Sequence, residues 1–261
     1  MKTNFIKYRF SKKRINLFAN AYLFLLILFC CQCQTDSVFE KEAFKTVFER
    51  YQVQGSFGYF NNSNGNFYIH NLKEFRDSPQ SVGKSVQLLL ALEALDFGLL
   101  TPSQEIYFNF ENHHDSTSQY DVSINQLISL IPYQKFRNFQ DSLQYGKAIE
   151  LNQYQADFVE HALKLTADEQ LGFIKKLFFM QLPFQKRTQE LIKSKFIKYS
   201  DSLRSYHYFL GSASQSDNAF WAIGWVEEQG HPAFFVMNLK YAPHIDNIPF
   251  IPFLQELITK M

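Results

Sequence analysis

Asp77-Ser78-Pro79-Gln80-Ser81-Val82-Gly83-Lys84-Ser85-Val86-Gln87-Leu88-Leu89-Leu90-Ala91-Leu92-Glu93-Ala94-Leu95-Asp96-Phe97-Gly98 reads as a helix with both ends marked and an apolar middle. Ser78 is a good N-cap, and Pro79 suits the first helical position, where its missing N–H costs nothing. Gly98 stands where a glycine just past a helix C-terminus is expected. The apolar residues from Val86 to Leu95 point in every direction, so the spacing predicts a helix buried on nearly all sides. In its first turn Ser81 and Lys84 are three residues apart and share a face. A buried lysine loses its charge readily and can act as a base, and a serine hydroxyl beside it can be activated as a nucleophile. An isolated Ser-x-x-Lys also fits a plainer arrangement, a capped helix whose lysine reaches out to solvent.

The sequence around this stretch bounds the protein. The chain has 261 residues, 46% hydrophobic and 20% charged, enough for one domain with a sizeable core. Lys2, Lys7, Arg9, Lys12, Lys13 and Arg14 crowd the start, no acid precedes Asp36, and an apolar run covers Ala21 to Phe29. This is the pattern of an export signal over residues 1–30, too short for a comfortable membrane span of about 20 residues. The three cysteines, Cys30, Cys31 and Cys33, follow directly, which leaves the folded part without a disulfide or a cysteine nucleophile. Leu28-Phe29-Cys30-Cys31 resembles a bacterial lipobox with Cys31 as the lipid acceptor; an uncleaved anchor or a plain secretory signal are the other readings of the segment. Residues 31–37 are then a short linker and 38–261 the domain. The whole chain carries a formal charge of +1, and loss of the six leader cations leaves 20 basic residues against 25 acidic, a net of −5. An acidic exported domain is a poor candidate for nucleic acid.

Helical spacing predicts a helix from Val38 to Tyr51, and alternation predicts a hairpin from Gln52–Phe60 and Asn66–His70. Further helices are expected over Ile124–Leu143 with a break at Pro132, over Ala167–Phe179 behind Thr166, and over Lys186–Ile197. Strands are expected at Ser205–Gly211, Ala219–Val226 and Ala233–Leu239, with a final helix at Ile251–Thr259. Strands at both ends with helices between them indicate an α+β domain whose antiparallel sheet is built from the two chain termini and packs against a helical region with a central buried helix.

The motifs carry a family resemblance. Phe44 to Tyr59, Ser78-Pro79-x-Ser81-x-x-Lys84, Ser129-Leu130-Ile131-Pro132-Tyr133-Gln134, Tyr145-Gly146 and Trp221-Ala222-Ile223-Gly224-Trp225-Val226-Glu227 occur in order and resemble the class D β-lactamases. They are similar too to the related penicillin-sensing receptor domains and penicillin-binding transpeptidases. The resemblance implies that Ser81 attacks a β-lactam or a peptidoglycan stem peptide, that Lys84 is the base, with a CO₂-derived carbamate in the class D manner, and that Ser129 relays a proton to the leaving group. It implies backbone oxyanion donors at Ser81 and Ser212. Phe158 stands where class D enzymes carry a tryptophan that holds the carbamate, and it has no N–H to donate. The third motif of the family, Lys-Thr-Gly or Lys-Ser-Gly, falls on Phe209-Leu210-Gly211 after Tyr208, and only Gly211 persists. The assisting arginine falls near Ile251, also apolar. Losing two charge-assisted contacts of ~1.5–3 kcal/mol each implies poor affinity for ordinary penicillins.

The expected protein is therefore an exported lipoprotein of the bacterial cell envelope, either a serine acyl-transfer enzyme or a non-catalytic, sensor-like descendant of the same fold. An unrelated binding lipoprotein is the third reading. His113-His114-Asp115 has no third ligand at a helpful spacing, so no metal is expected.

Overall fold

The computed structural model describes residues 37–82, 85–100, 124–146, 163–212, 219–240 and 248–261. Its main sheet has seven strands: β1 (Ser37–Glu40), β2 (Gly55–Asn61), β3 (Asn66–His70), β6 (Ile197–Ser200), β7 (Arg204–Ser212), β8 (Ala219–Glu228) and β9 (His231–Lys240), in the order β1-β3-β2-β9-β8-β7-β6. A separate two-stranded ladder joins β4 (Gln80–Ser81) to β5 (Lys164–Leu165). Eight helices are described: α1 (Glu42–Arg50), α2 (Leu72–Asp77), α3 (Val86–Asp96), α4 (Ile124–Leu130), α5 (Tyr133–Leu143), α6 (Ala167–Phe178), α7 (Lys186–Ser194) and α8 (Phe250–Thr259). The α+β expectation holds, with the sheet built from both ends of the described chain. One pairing departs from it: β1 runs parallel to β3, so the sheet is mixed.

The central strands are buried on both faces, because alternate side chains of an extended chain point to opposite sides. Trp221, Ile223, Phe234 and Val236 join one apolar cluster with α3 and α6. Ala222, Val226, Phe235 and Met237 join another with α1 and α8. The sheet thus separates two cores.

Helix α3 lies in the first core with Leu88, Leu89, Leu90 and Leu92 fully buried. Each such leucine stabilises the fold by roughly 1.5–3 kcal/mol relative to exposure, which is why an all-round apolar helix has only one comfortable place. Gly98 adopts φ +67° just past the end of α3, and the amide of Leu99 closes onto Ala94 O at 2.8 Å. The expected terminal glycine is in place. Helix α6 begins with a capping box: the Glu169 amide donates to Thr166 Oγ1 at 3.2 Å, and the Thr166 amide donates to Glu169 Oε2 at 2.7 Å. Its Phe173, Ile174 and Leu177 are buried against the sheet, as core.

Three expected boundaries are corrected. The helix predicted from Val38 is a strand to Glu40 before α1 begins at Glu42. Val38 and Phe39 suit an edge strand, and Phe39 stacks on Tyr68 of β3 at 5.6 Å. The helix predicted to run to Ile197 ends at Ser194, because the chain is taken up by β6 pairing with β7. Most consequentially, Pro79 does not open a helix. Residue Ser78 closes α2, Gln80–Ser81 is extended, and α3 starts at Val86 with Ser85 as its N-cap. A residue before proline is biased to extended backbone, and β5 offers the following residues ladder partners that a helix N-terminus lacks.

Candidate active site

Ser81 is 4% exposed and lies at the end of β4, five residues ahead of α3. Its position is fixed from two sides. Toward β5, Gln80 faces Leu165, Ser81 faces Lys164, and the Val82 amide donates to Leu163 O at 3.0 Å. Toward the main sheet, the indole Nε1–H of Trp221 on β8 donates to Ser81 O at 2.7 Å.

Gly211 brings the main sheet onto this point. It pairs with Trp221, and a Cβ there would lie 3.1 Å from the Ser85 amide nitrogen, tighter than ordinary packing. Glycine therefore lets the end of β7 approach the start of α3. The next residue, Ser212, keeps its backbone in the ladder opposite Phe220. Ser81, Ser85, Gly211 and Trp221 thus gather where β4, β7, β8 and α3 converge.

A buried polar chain reaches the same place from α5 and α6. Tyr145, expected from the Tyr-Gly motif, donates its phenol to Gln170 Oε1 at 2.7 Å. Gln170 Nε2 donates to Ser85 Oγ at 3.1 Å, and Ser85 Oγ donates to Val82 O at 2.6 Å. Burial raises the Tyr145 phenol well above its ordinary range, so it remains a donor. Glu93, two turns further along α3, is fully buried, and among the described residues neither carboxyl oxygen has a hydrogen-bond partner. Desolvation pushes its pKa up to about 9, so the side chain is a neutral acid at pH 7.

The other expected site residues are distributed as follows. Ser129 is on α4, exposed, with its hydroxyl donating to Gln126 O of its own helix at 2.7 Å. Lys84, Phe158 and Cys31 lie outside the described residues, as do His113 and His114. The third-motif positions are apolar and packed: Phe209 is 1% exposed in the first core, with its ring 6.2 Å from that of Phe196. Leu210 and Ile251 lean on the second core, where Tyr208 and Phe250 rings are 4.9 Å apart. A cleft of about 450 Å³ lined by Lys41, Phe48, His70, Glu74 and Lys240 contains none of these residues.

Sequence reasoning missed Gln170, Ser85 and the Trp221 bond. Gln170 had a visible signal, since it interrupts the otherwise apolar stripe of Ala167, Leu171 and Ile174.

No protein-family model matches the chain. The β-lactamase OXA-20 of Pseudomonas aeruginosa is 24% identical over 203 residues, 71% of this chain and 74% of that protein. The regulatory protein BlaR1 of Bacillus licheniformis is 25% identical over 219 residues, 77% of this chain and 36% of BlaR1. The crystal structure of FUS-1 (OXA-85), a class D β-lactamase from Fusobacterium nucleatum subsp. polymorphum, superposes with a TM-score of 0.72 at 22% identity, covering 85% of this chain and 98% of that one. The C-terminal domain of the B. licheniformis BlaR penicillin-receptor gives 0.70 at 19% identity, covering 87% and 97%. The chain has the class D β-lactamase fold, and its relatives are class D β-lactamases and a penicillin-receptor protein.

Proposed function

We propose that this chain is a serine acyl-transfer protein of the class D β-lactamase and penicillin-binding type. Ser81 Oγ attacks the carbonyl of a β-lactam or a peptidoglycan stem peptide and forms an ester to that carbon. The Ser81 proton passes to Lys84, as free amine or CO₂-derived carbamate. The carbonyl–nitrogen bond breaks and the departing nitrogen takes a proton relayed by Ser129. Backbone amides of Ser81 and Ser212 receive the developing oxyanion. Export and lipidation at Cys31 in the bacterial cell envelope belong to the same proposal.

The observation that carries it is the seat of Ser81. A two-residue strand clamped between β5 and the Trp221 indole holds its backbone at the foot of a largely buried helix, with the glycine end of β7 beside it. Such a seat costs no reorganisation when charge develops, which is what acyl transfer needs.

A specific observation favours a second reading, a non-catalytic or sensor-like protein of the same fold. Phe209, Leu210 and Ile251 fill the positions that bind a substrate carboxylate in the family, and all three are packed with apolar neighbours. Incubation of the full-length protein with a fluorescent penicillin, with and without bicarbonate and beside Ser81→Ala, decides between inert and acylating forms. Label that is lost in the variant supports acylation, and turnover of a chromogenic cephalosporin adds hydrolysis. Absence of label at high reagent concentration removes the enzyme reading for β-lactams.

A further inference from the structure

We infer that Gln170 is a positioning residue for acyl transfer, the centre of a one-way hydrogen-bond chain that locks the turn between Ser81 and α3; the inference rests on the function proposed above. The chain runs Tyr145 Oη to Gln170 Oε1, Gln170 Nε2 to Ser85 Oγ, and Ser85 Oγ to Val82 O, at 2.7, 3.1 and 2.6 Å. Its direction is forced. The Val82 carbonyl only accepts, so it takes the Ser85 proton; an amide nitrogen only donates and an amide oxygen only accepts, so Gln170 turns its nitrogen to Ser85 and its oxygen to Tyr145. Tyr145 is thereby left as the donor at the far end of the chain.

The members are all secluded from water. Gln170 and Ser85 are fully buried and Tyr145 is 2% exposed, so each bond forms without solvent competition and is costly to leave unmade. The result is a turn held at both ends. Val82 O accepts from the Ser85 amide at 3.1 Å as well as from the Ser85 hydroxyl, while the Val82 amide is tied to Leu163 O. Val82 follows Ser81 directly, and Ser85 follows Lys84 directly, so the two fixed residues are the chain neighbours of the nucleophile and the base. Gly211 closes the remaining side against the Ser85 amide. Helix α6 carries Gln170 in a rigid register, because the capping box of Thr166 and Glu169 fixes its start.

Gln189 supplies the internal control. It is equally buried and also satisfied by buried partners, receiving from the Leu182 amide and donating to Leu182 O and Phe184 O, none of them near Ser81 in the chain or its bonds. The test compares Gln170→Met, Gln170→Glu and Gln189→Met in the full-length protein. Two readouts are taken: the second-order rate of labelling by a fluorescent penicillin, and hydrogen exchange of the peptide spanning residues 80–86. Gln170→Met is expected to slow labelling about tenfold or more, the size of effect that small misplacements of a reacting group produce. Exchange of the 80–86 peptide is expected to accelerate. Gln170→Glu, which keeps the shape but removes the donor to Ser85, is expected to behave like Gln170→Met. Gln189→Met is expected to lower thermal stability while leaving labelling within about twofold and 80–86 exchange unchanged. Unchanged labelling and exchange in Gln170→Met, or equal slowing in Gln189→Met, overturns the inference. If the wild-type protein takes no label, the acyl-transfer reading fails by itself, and the exchange readout alone then decides whether Gln170 locks the turn.

Discussion

Trp221 and Ser81 stand 140 positions apart in the chain, and the indole N–H of the first donates to the backbone carbonyl of the second at 2.7 Å. One bond thus ties the centre of the sheet to the strand that carries the proposed nucleophile. It also explains why the carbonyl of a residue just ahead of a buried helix is not left without a donor.

Trp221→Phe keeps most of the apolar volume in the first core and removes that donor. A buried carbonyl left unsatisfied costs about 1–3 kcal/mol. The urea midpoint is expected to fall accordingly, and labelling of Ser81 to slow. Ser81→Ala, which leaves the backbone bond in place, is expected to keep its stability to within about 1 kcal/mol.

The pH dependence of stability follows from Glu93. Its carboxyl has an ordinary value of 4.5 and is pushed up to about 9 in the folded protein, so above 4.5 the unfolded chain ionises while the folded one stays neutral. Stability is therefore fullest below 4.5, declines as pH rises to about 9, and is level beyond it. By pH 7 the loss from this group is on the order of 3 kcal/mol. Glu93→Gln removes the slope. Chemical denaturation at pH 5 and pH 8 is expected to show the variant gaining on the wild type as pH rises, and a parallel pair of pH profiles would contradict it.

Two glycines set how closely the sheet packs. A Cβ at Gly224 would fall 2.0 Å from His207 O, inside the β7–β8 ladder, where backbone cannot give way. Gly224→Ala is expected to destabilise by roughly 3 kcal/mol or more, or to prevent soluble expression. At Gly211 the added Cβ meets the Ser85 amide nitrogen at 3.1 Å, a conflict of a few tenths of an ångström. Gly211→Ala is expected to cost only about 1 kcal/mol while slowing Ser81 labelling, because the shift falls on the start of α3.

The apolar positions Phe209, Leu210 and Ile251 predict indifference to a substrate carboxylate. A charge-assisted contact of about 1.5–3 kcal/mol corresponds to roughly 10–150-fold in affinity. Competition against the fluorescent label is expected to give a penicillin and its methyl ester inhibition constants within about threefold of each other. A preference of tenfold or more for the free acid would show that a cation elsewhere has taken over the role.

Much of this architecture was legible locally. The Thr166-x-x-Glu169 box, the terminal Gly98 and the all-round apolar run of α3 each dictate structure within a few residues, and each is found where the pattern puts it. The seat of Ser81 was not legible. Ser78-Pro79 reads as a helix start by local preference, but the ladder that overrides it comes from Lys164 and Leu165, more than 80 positions away. Gln170 was visible as a polar gap in an apolar stripe, whereas its partners Tyr145 and Ser85 meet only through the packing of three helices. The hydroxyl of Ser129, a relay by its motif, donates within its own helix to Gln126 O.

Peptide mapping by mass spectrometry after brief exposure of the full-length protein to a penicillin is expected to find one added penicilloyl mass on the peptide containing Ser81, absent from Ser81→Ala and reduced in Gln170→Met. A protein that stays unmodified, or one modified on a different residue, would contradict it.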